Sequence, residues 1–192
     1  STLSANCENI DQINSELTKI SLWLKANKLT INVNKSKCIF FHHPTKMLQP
    51  PVLKIDNQEI DNVKTFNYLG IVINSNLTWK DHIQYIGTKI AKTTAIMTKL
   101  KHFLPESALF NIYSSLIHCH FTYGVLVWGS HVGQLVRLQK KAIRIVCGAA
   151  RAAHTEPMFK RLNVLKVSDI RHLHELKFYY NFVKESVPSY FL

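Results

Sequence analysis

Apolar residues at Ile10, Ile13, Leu17, Ile20, Trp23 and Leu24 recur every three or four positions. That spacing places them on one stripe of an α-helix over 10–26, which Asn27 and Lys28 end. The period then drops to two: Leu29, Ile31 and Val33 alternate with Thr30, Asn32 and Asn34, the pattern of a half-buried strand. Residues 38–41 are a short apolar run suited to a buried strand, and the three prolines within 44–51 mark a loop. The short segments at 52–55 and 58–60 flank Asp56-Asn57, which predicts a small hairpin with its turn at that pair. Residues 64–68 and 71–73 predict two more strands around Gly70. Residues 30–73 therefore read as a patch of four or five short antiparallel strands, too small to stand alone.

The character changes at Asn74. Asn74, Ser75 or Asn76 is placed to cap a long helix. Trp79, Ile83, Ile86, Ile90, Met97, Leu100 and Leu104 keep helical spacing for about seven turns, until Pro105 stops it. Leu109, Ile112, Leu116 and Ile117 predict a second helix over 106–118. Leu135, Leu138, Ala142 and Ile145 predict a third over 132–147, with Gly148 as its C-terminal cap. Between these two helices, 121–128 is strongly apolar and aromatic. Thr155 is placed to cap a short helix. Ser168 or Asp169 starts another, with Ile170, Leu173, Leu176, Tyr180 and Val183 on one face. The expected fold class is α+β: an N-terminal helix plus a small antiparallel β patch at 1–76, an all-α helical bundle at 77–150, and a helical extension at 151–192.

Charge adds a partner to this picture. Lys and Arg number 24 against 12 acidic residues, a formal net charge of +12 on 192 residues. An excess of that size spread along helices points to a polyanion, of which nucleic acid is the commonest. The four cysteines are far apart and form no C-x-x-C, so they read as buried free thiols in a reducing compartment. No basic, apolar leader and no membrane-length apolar run occur, so the expected location is intracellular, cytoplasmic or nuclear, and not secreted. The chain opens without Met and enters a helix within about ten residues, which reads as a piece of a longer chain.

Candidate chemistry is thin. No D-D or D-x-D occurs, and Asp56, Glu59 and Asp61 sit around a hairpin turn as solvated turn residues do. His118-Cys119-His120 has metal-ligand types, but residues two apart on a helix point about 200° from each other and cannot share one ion. What remains is basic. Lys35 and Lys37 follow a strand. Lys89, Lys92 and Lys99 lie roughly on one side of the long helix. Arg137, Lys140, Lys141 and Arg144 cluster at three- and four-residue spacing. With Tyr113, Tyr123 and Trp128 nearby, the two basic helix faces fit a groove that tracks phosphates. Any one of these lysines alone reads as a solvated helix surface; the ensemble favours the groove.

W-L-K-A-N-K-L-T-I-N-V-N-K-S-K-C-I-F-F at 23–41 resembles the block after the F/Y-A-D-D box in reverse transcriptases of non-LTR (LINE-like) retrotransposons. The shared positions include Trp23, Asn27, Leu29, Ile31, Asn32, Lys35 and Ser36. T-F-N-Y-L-G-I-V-I-N-S-N-L-T-W at 65–79 is similar to the next block of that family. I-Y-S-S-L-I at 112–117, Y-G-V-L-V-W-G at 123–129 and the stretch L-V-R-L-Q-K-K-A-I-R-I-V at 135–146 are similar to its thumb region. The resemblance implies the end of a polymerase palm followed by a helical thumb. It implies Lys35 as the general acid that assists pyrophosphate departure, and Phe66, Tyr68, Leu69 and Gly70 as the primer grip. Its implied partners are an RNA–DNA template–primer duplex and the upstream palm and fingers. The family's A-D-D box is not in this sequence, so Mg²⁺ is expected only in the full-length polymerase, with no cofactor here. The chain by itself is expected to be inert. The other readings are a domesticated nucleic-acid-binding module and a helical protein-interaction scaffold.

Overall fold

The computed structural model describes residues 10–43, 45, 49–188 and 190. They form an α+β chain that divides into two compact units, Ser1–Thr78 and Trp79–Leu192.

The first unit begins with α1, Ile10–Ala26. Lys28, in the left-handed region at φ 58°, ends it, and the Leu29 N–H returns to the Leu24 carbonyl at 2.8 Å. Strands β2 (Lys54–Ile55) and β3 (Gln58–Glu59) form the expected hairpin, with Asp56 and Asn57 both at positive φ, the two-residue turn that suits strand twist. The Asp56 carboxylate ties this hairpin to α1. It accepts from Ser21 Oγ at 2.8 Å and pairs with Lys25 Nζ at 2.8 Å, and these contacts hold it below the usual carboxylate range. Beneath them Ile13 and Ile55 are buried.

Several expectations need correction in this unit. The alternation at Leu29–Ile31–Val33 does not form a strand. Asn32 Oδ1 accepts from the Lys35 N–H at 3.2 Å and closes a 3₁₀ turn over Val33–Lys35, a local bond that competes with extended pairing. The run at 38–41 is strand only in β1, Lys37–Cys38, and Phe41 is exposed. That strand pairs in parallel with β4, Asp61–Asn62, whereas the other two pairs are antiparallel. The expected loop at 44–51 falls largely outside the described residues. So does Cys7; of the others, Cys119 is exposed and Cys38 and Cys147 are half-buried, which corrects the buried-thiol expectation.

Strands β5 (Thr65–Tyr68) and β6 (Ile71–Asn74) complete the unit. Asn74 then closes a loop instead of capping a helix. Its Oδ1 accepts from the Thr78 N–H at 2.9 Å and its Nδ2 donates to Thr78 Oγ1 at 2.7 Å.

The second unit is helical. Helix α2, Lys80–Leu100, carries Ile83, Ile86, Ile90 and Met97 into the core. Helix α3, Glu106–Tyr113, does not stop at residue 118. It continues through a π-helical stretch, Ser114–His118, into α4, Cys119–Thr122. Gly124, at φ 63°, turns the chain into α5, Val125–Trp128. Helix α6, Gly133–Val146, ends as expected at Gly148 (φ 61°), where the Ala149 N–H reaches the Arg144 carbonyl at 2.9 Å. Helices α7, Glu156–Arg161, and α8, Val167–Val183, follow. Trp128, Tyr113 and Phe121 are the largest fully buried side chains. The expected apolar face of α8 is buried only at its start: Ile170 and Val167 are enclosed, whereas Leu173, Leu176, Tyr180 and Val183 are exposed.

His82 on α2 is 1% exposed, edge-on to Trp128 with ring centroids 5.5 Å apart. Burial, and then the neighbouring His120, hold its pKa below the usual histidine value. His118 is lowered by burial, and His120 by burial and by Lys89. Histidines with lowered folded values bind fewer protons folded than unfolded, so stability is intact above the unfolded value of about 6.5 and falls as pH drops through it. We expect the melting temperature to fall between pH 7.5 and 5, above the carboxylate range, and His82→Phe to flatten that slope. A slope that His82→Phe leaves unchanged would assign the effect elsewhere.

Candidate nucleic-acid interface

In the first unit the candidate residues are Lys35, Lys37 and the β5–β6 hairpin. Lys35 is exposed at the end of the 3₁₀ turn, and its backbone is fixed by the Asn32 cap. Lys37 lies within β1 and not after a strand. Its ammonium meets Asp61 Oδ2 at 2.5 Å across the β1–β4 pair, so its charge is already matched. Lys54 similarly pairs with Glu59 at 3.7 Å. The three acids of this patch, Asp56, Glu59 and Asp61, are thus each committed to a lysine. Among the described residues no group of three His, Cys, Asp or Glu side chains could hold a metal ion, and the acids present do not fit a Mg²⁺ site.

Phe66, Tyr68, Leu69 and Gly70 come together on one hairpin. Phe66 faces Ile73 and Tyr68 faces Ile71 in the β5–β6 register. Leu69 (φ 49°) and Gly70 (φ 81°) form its two-residue turn. Glycine adopts such an angle freely; a leucine there carries a steric cost of roughly 1–2 kcal/mol, and Asn is better tolerated. Leu69 is also 71% exposed, so its apolar side chain gains little from burial. The cost of this turn is therefore not offset by burial of the Leu69 side chain. Leu69→Asn is expected to stabilise the first unit by about 0.5–1 kcal/mol in chemical unfolding; a loss of stability would show that Leu69 packs.

In the second unit the positive charge is concentrated. Of the 24 Lys and Arg, 16 fall at 79–192 with only 6 of the 12 acids, giving it +10 of the formal +12. Helices α2 and α6 pack together, and a Cβ on Gly87 of α2 would sit 3.6 Å from Gln134 Nε2 and Leu138 Cδ1 of α6. At about 100° per residue, Lys89, Lys92 and Lys99 lie about 120–160° around α2 from that line. They form an arc on its far side, where Lys89 Nζ stands 4.4 Å over the Tyr85 ring. Arg137, Lys140, Lys141 and Arg144 occupy an arc of about 100° on α6 that borders the α2-facing line. The two basic arrays therefore occupy different faces and do not wall one groove.

The α6 array continues past its own helix. Arg144 Nε donates to the Ala153 carbonyl at 2.8 Å, which orients its guanidinium. Lys140 stands near Glu156, whose carboxyl is held low first by Lys166 and further by Lys160 and Lys140. Arg137, Lys140 and Lys141 make no ion pair among the described residues. The aromatics expected beside the groove need correction: Tyr113 and Trp128 are fully buried core residues and cannot stack on a base, whereas Tyr123 is exposed. Sequence reasoning missed that Lys166, Lys160 and Lys140 all act on the Glu156 carboxyl, because no spacing along the chain relates α6 to α7. No helix among the described residues is long and apolar enough to cross a membrane.

Comparison with known proteins bears out the resemblance to non-LTR retrotransposon reverse transcriptases. Over 188 residues the chain is 24% identical to the probable RNA-directed DNA polymerase from transposon X-element of Drosophila melanogaster, covering 93% of this chain and 20% of that protein. Over 152 residues it is 26% identical to the RNA-directed DNA polymerase from mobile element jockey of the same species, covering 75% of this chain and 16% of that one. The jockey polymerase of Drosophila funebris is 22% identical over 170 residues, 84% of this chain and 18% of its own length. The chain thus spans about a fifth of the length of the curated relatives it matches. No family model and no solved structure matches.

Proposed function

We propose that this chain is a portion of a non-LTR retrotransposon RNA-directed DNA polymerase that holds template–primer nucleic acid through its helical unit and performs no polymerisation alone. The observation that carries this reading is the similarity to such polymerases over 93% of the chain. The charge distribution supports the binding half. The unit that carries +10 presents four cations on one arc of α6, and phosphate neutralisation by such cations supplies most sequence-independent affinity.

The inert half rests on the donor set. Two-metal phosphoryl transfer needs carboxylates that converge on the ions, and the acids of the β patch converge on lysines instead. Within the palm-end reading, the β5–β6 hairpin is the primer grip and Lys35 the proton donor to the leaving pyrophosphate. Both act on a reaction whose metal ions, Mg²⁺, belong to the full-length enzyme. In this arrangement 77–150 is the thumb and 151–192 its extension.

The test is a primer-extension assay with Mg²⁺, nucleotides and an RNA–DNA template–primer, run alongside a binding assay on the same duplex. Binding without extension is expected; robust extension would overturn the inert reading. A second reading, the protein-interaction scaffold, is favoured by the exposed apolar residues of α8, Leu176, Tyr179 and Val183. It predicts no nucleic-acid binding in the same assay.

A further inference from the structure

A cavity of about 410 Å³ opens between the α3–π–α4 segment and α8, within the helical unit. Its volume lies in the range of small-ligand sites. The floor is apolar and aromatic: Tyr113, Val164, Ile170 and Leu173. The wall is polar on two sides. Ser114, His118 and Thr122 come from the first segment, and His174 and Lys177 from α8.

The π stretch explains how the first wall forms. On an α-helix, positions 114, 118 and 122 drift about 40° per step, so the last would lie about 80° from the first. A π turn takes about one residue more, so the step from 114 to 118 falls short of a full turn. The shortfall cancels the following α drift and sets Ser114, His118 and Thr122 in one line that faces α8. Such π insertions cost hydrogen-bond geometry and are frequent at functional sites. On α8, His174, Lys177 and Asn181 follow one another at three- and four-residue spacing, so a polar line leaves the cavity mouth towards the end of the helix.

We propose that this cavity binds one unpaired nucleotide, with the base against the His118 ring and the apolar Val164 and Leu173 side chains and the phosphate at Lys177 and His174. The His118 ring is the aromatic surface at the base end, backed from the core by the buried Tyr113 ring 6.1 Å away. Burial holds the His118 pKa low, so at neutral pH it offers an uncharged ring that both donates and accepts, as does the hydroxyl of Ser114. At the other end, Lys177 makes no ion pair among the described residues. This site is separate from the α6 arc and does not depend on duplex binding there. A nucleotide could enter free or as part of a single strand, and the two share this chemistry.

The test measures binding of fluorescein-labelled oligo(dT)₁₀, competition by thymidine 5′-monophosphate, and binding of an RNA–DNA hybrid. Three forms are compared: the whole chain, Thr122→Trp, which fills the cavity, and Lys177→Glu at the exposed mouth. Circular dichroism verifies that each variant is folded. Both variants are expected to weaken oligo(dT)₁₀ binding roughly tenfold and to leave hybrid binding within about threefold. Competition by the mononucleotide identifies a free nucleotide as sufficient; its absence, with both variants weakened, assigns the site to a strand. The proposal is overturned if the whole chain binds neither probe, if folded Lys177→Glu binds oligo(dT)₁₀ unchanged, or if Lys177→Glu weakens strand and hybrid alike.

Discussion

Replacing Gln139 by Met is expected to destabilise the helical unit by about 3–5 kcal/mol, a fall in melting temperature of roughly 10–15 °C. Gln139 on α6 is fully buried. Its Nε2 donates to Tyr113 Oη at 3.0 Å and to the Leu165 carbonyl at 2.9 Å, and its Oε1 accepts from the Val167 N–H at 2.9 Å. One amide thus joins α3, the loop before α8 and the first residue of α8 itself. Methionine keeps the length and shape but none of these bonds. It strands a part-buried carbonyl, a buried N–H and a buried phenol, and each buried polar group left without a partner costs about 1–3 kcal/mol. Burial already pushes the Tyr113 pKa up to about 12, against the opposing effect of the Gln139 donor, so the phenol stays neutral and needs its partner as a neutral group. A loss under about 1 kcal/mol in thermal or urea unfolding would show that water or a rearrangement satisfies these groups. Because the same loop and helix form one side of the cavity, Gln139→Met should also blunt whatever binds there.

The second large effect concerns affinity. Arg137→Glu with Lys141→Glu is expected to weaken binding of an RNA–DNA hybrid about 100-fold near 0.1 M salt and to flatten the log–log salt slope by about 2, since each lost phosphate contact removes roughly 0.9. Both side chains are exposed, so the change is absorbed at the surface with little effect on folding. The control is Lys92→Glu with Lys99→Glu, the same charge change on the far arc of α2. It should cost several-fold at most. An equal loss from both pairs would mean that net charge alone sets affinity and that no face is preferred. A larger loss from the α2 pair would move the binding face there.

These two residue sets show what the sequence could and could not reveal. The spacing of Arg137, Lys140, Lys141 and Arg144 suffices to place them on one face, because an α-helix converts spacing into direction. The spacing of Lys89, Lys92 and Lys99 does the same for α2. What no spacing reveals is where one helix turns relative to the other, and that depends on Gly87 meeting Gln134 and Leu138. The C-terminal end of helix α1 was legible because its stripe is regular and Lys28 breaks it. Both hairpins were legible because Asp56-Asn57 and Gly70 punctuate short segments on either side with residues that adopt positive φ readily. The alternation at Leu29–Ile31–Val33 misled, since Asn32 offers a local bond that a period-two pattern does not register. The matching of Lys37 to Asp61, 24 positions on, was equally hidden. The π stretch left no mark in the sequence either: 106–118 has the apolar spacing of an ordinary helix. Its extra residue per turn shows only in the backbone hydrogen bonds of the folded chain.

The most direct test of the central claim, that this chain is a nucleic-acid-holding part of a reverse transcriptase, is the salt dependence of its affinity for an RNA–DNA hybrid. Four α6 cations engaging phosphates predict a log–log slope of about −3 to −4 between 50 and 300 mM salt, and a shallower slope in the Arg137→Glu, Lys141→Glu pair. Affinity that does not change with salt, or no measurable binding at 50 mM, would contradict it.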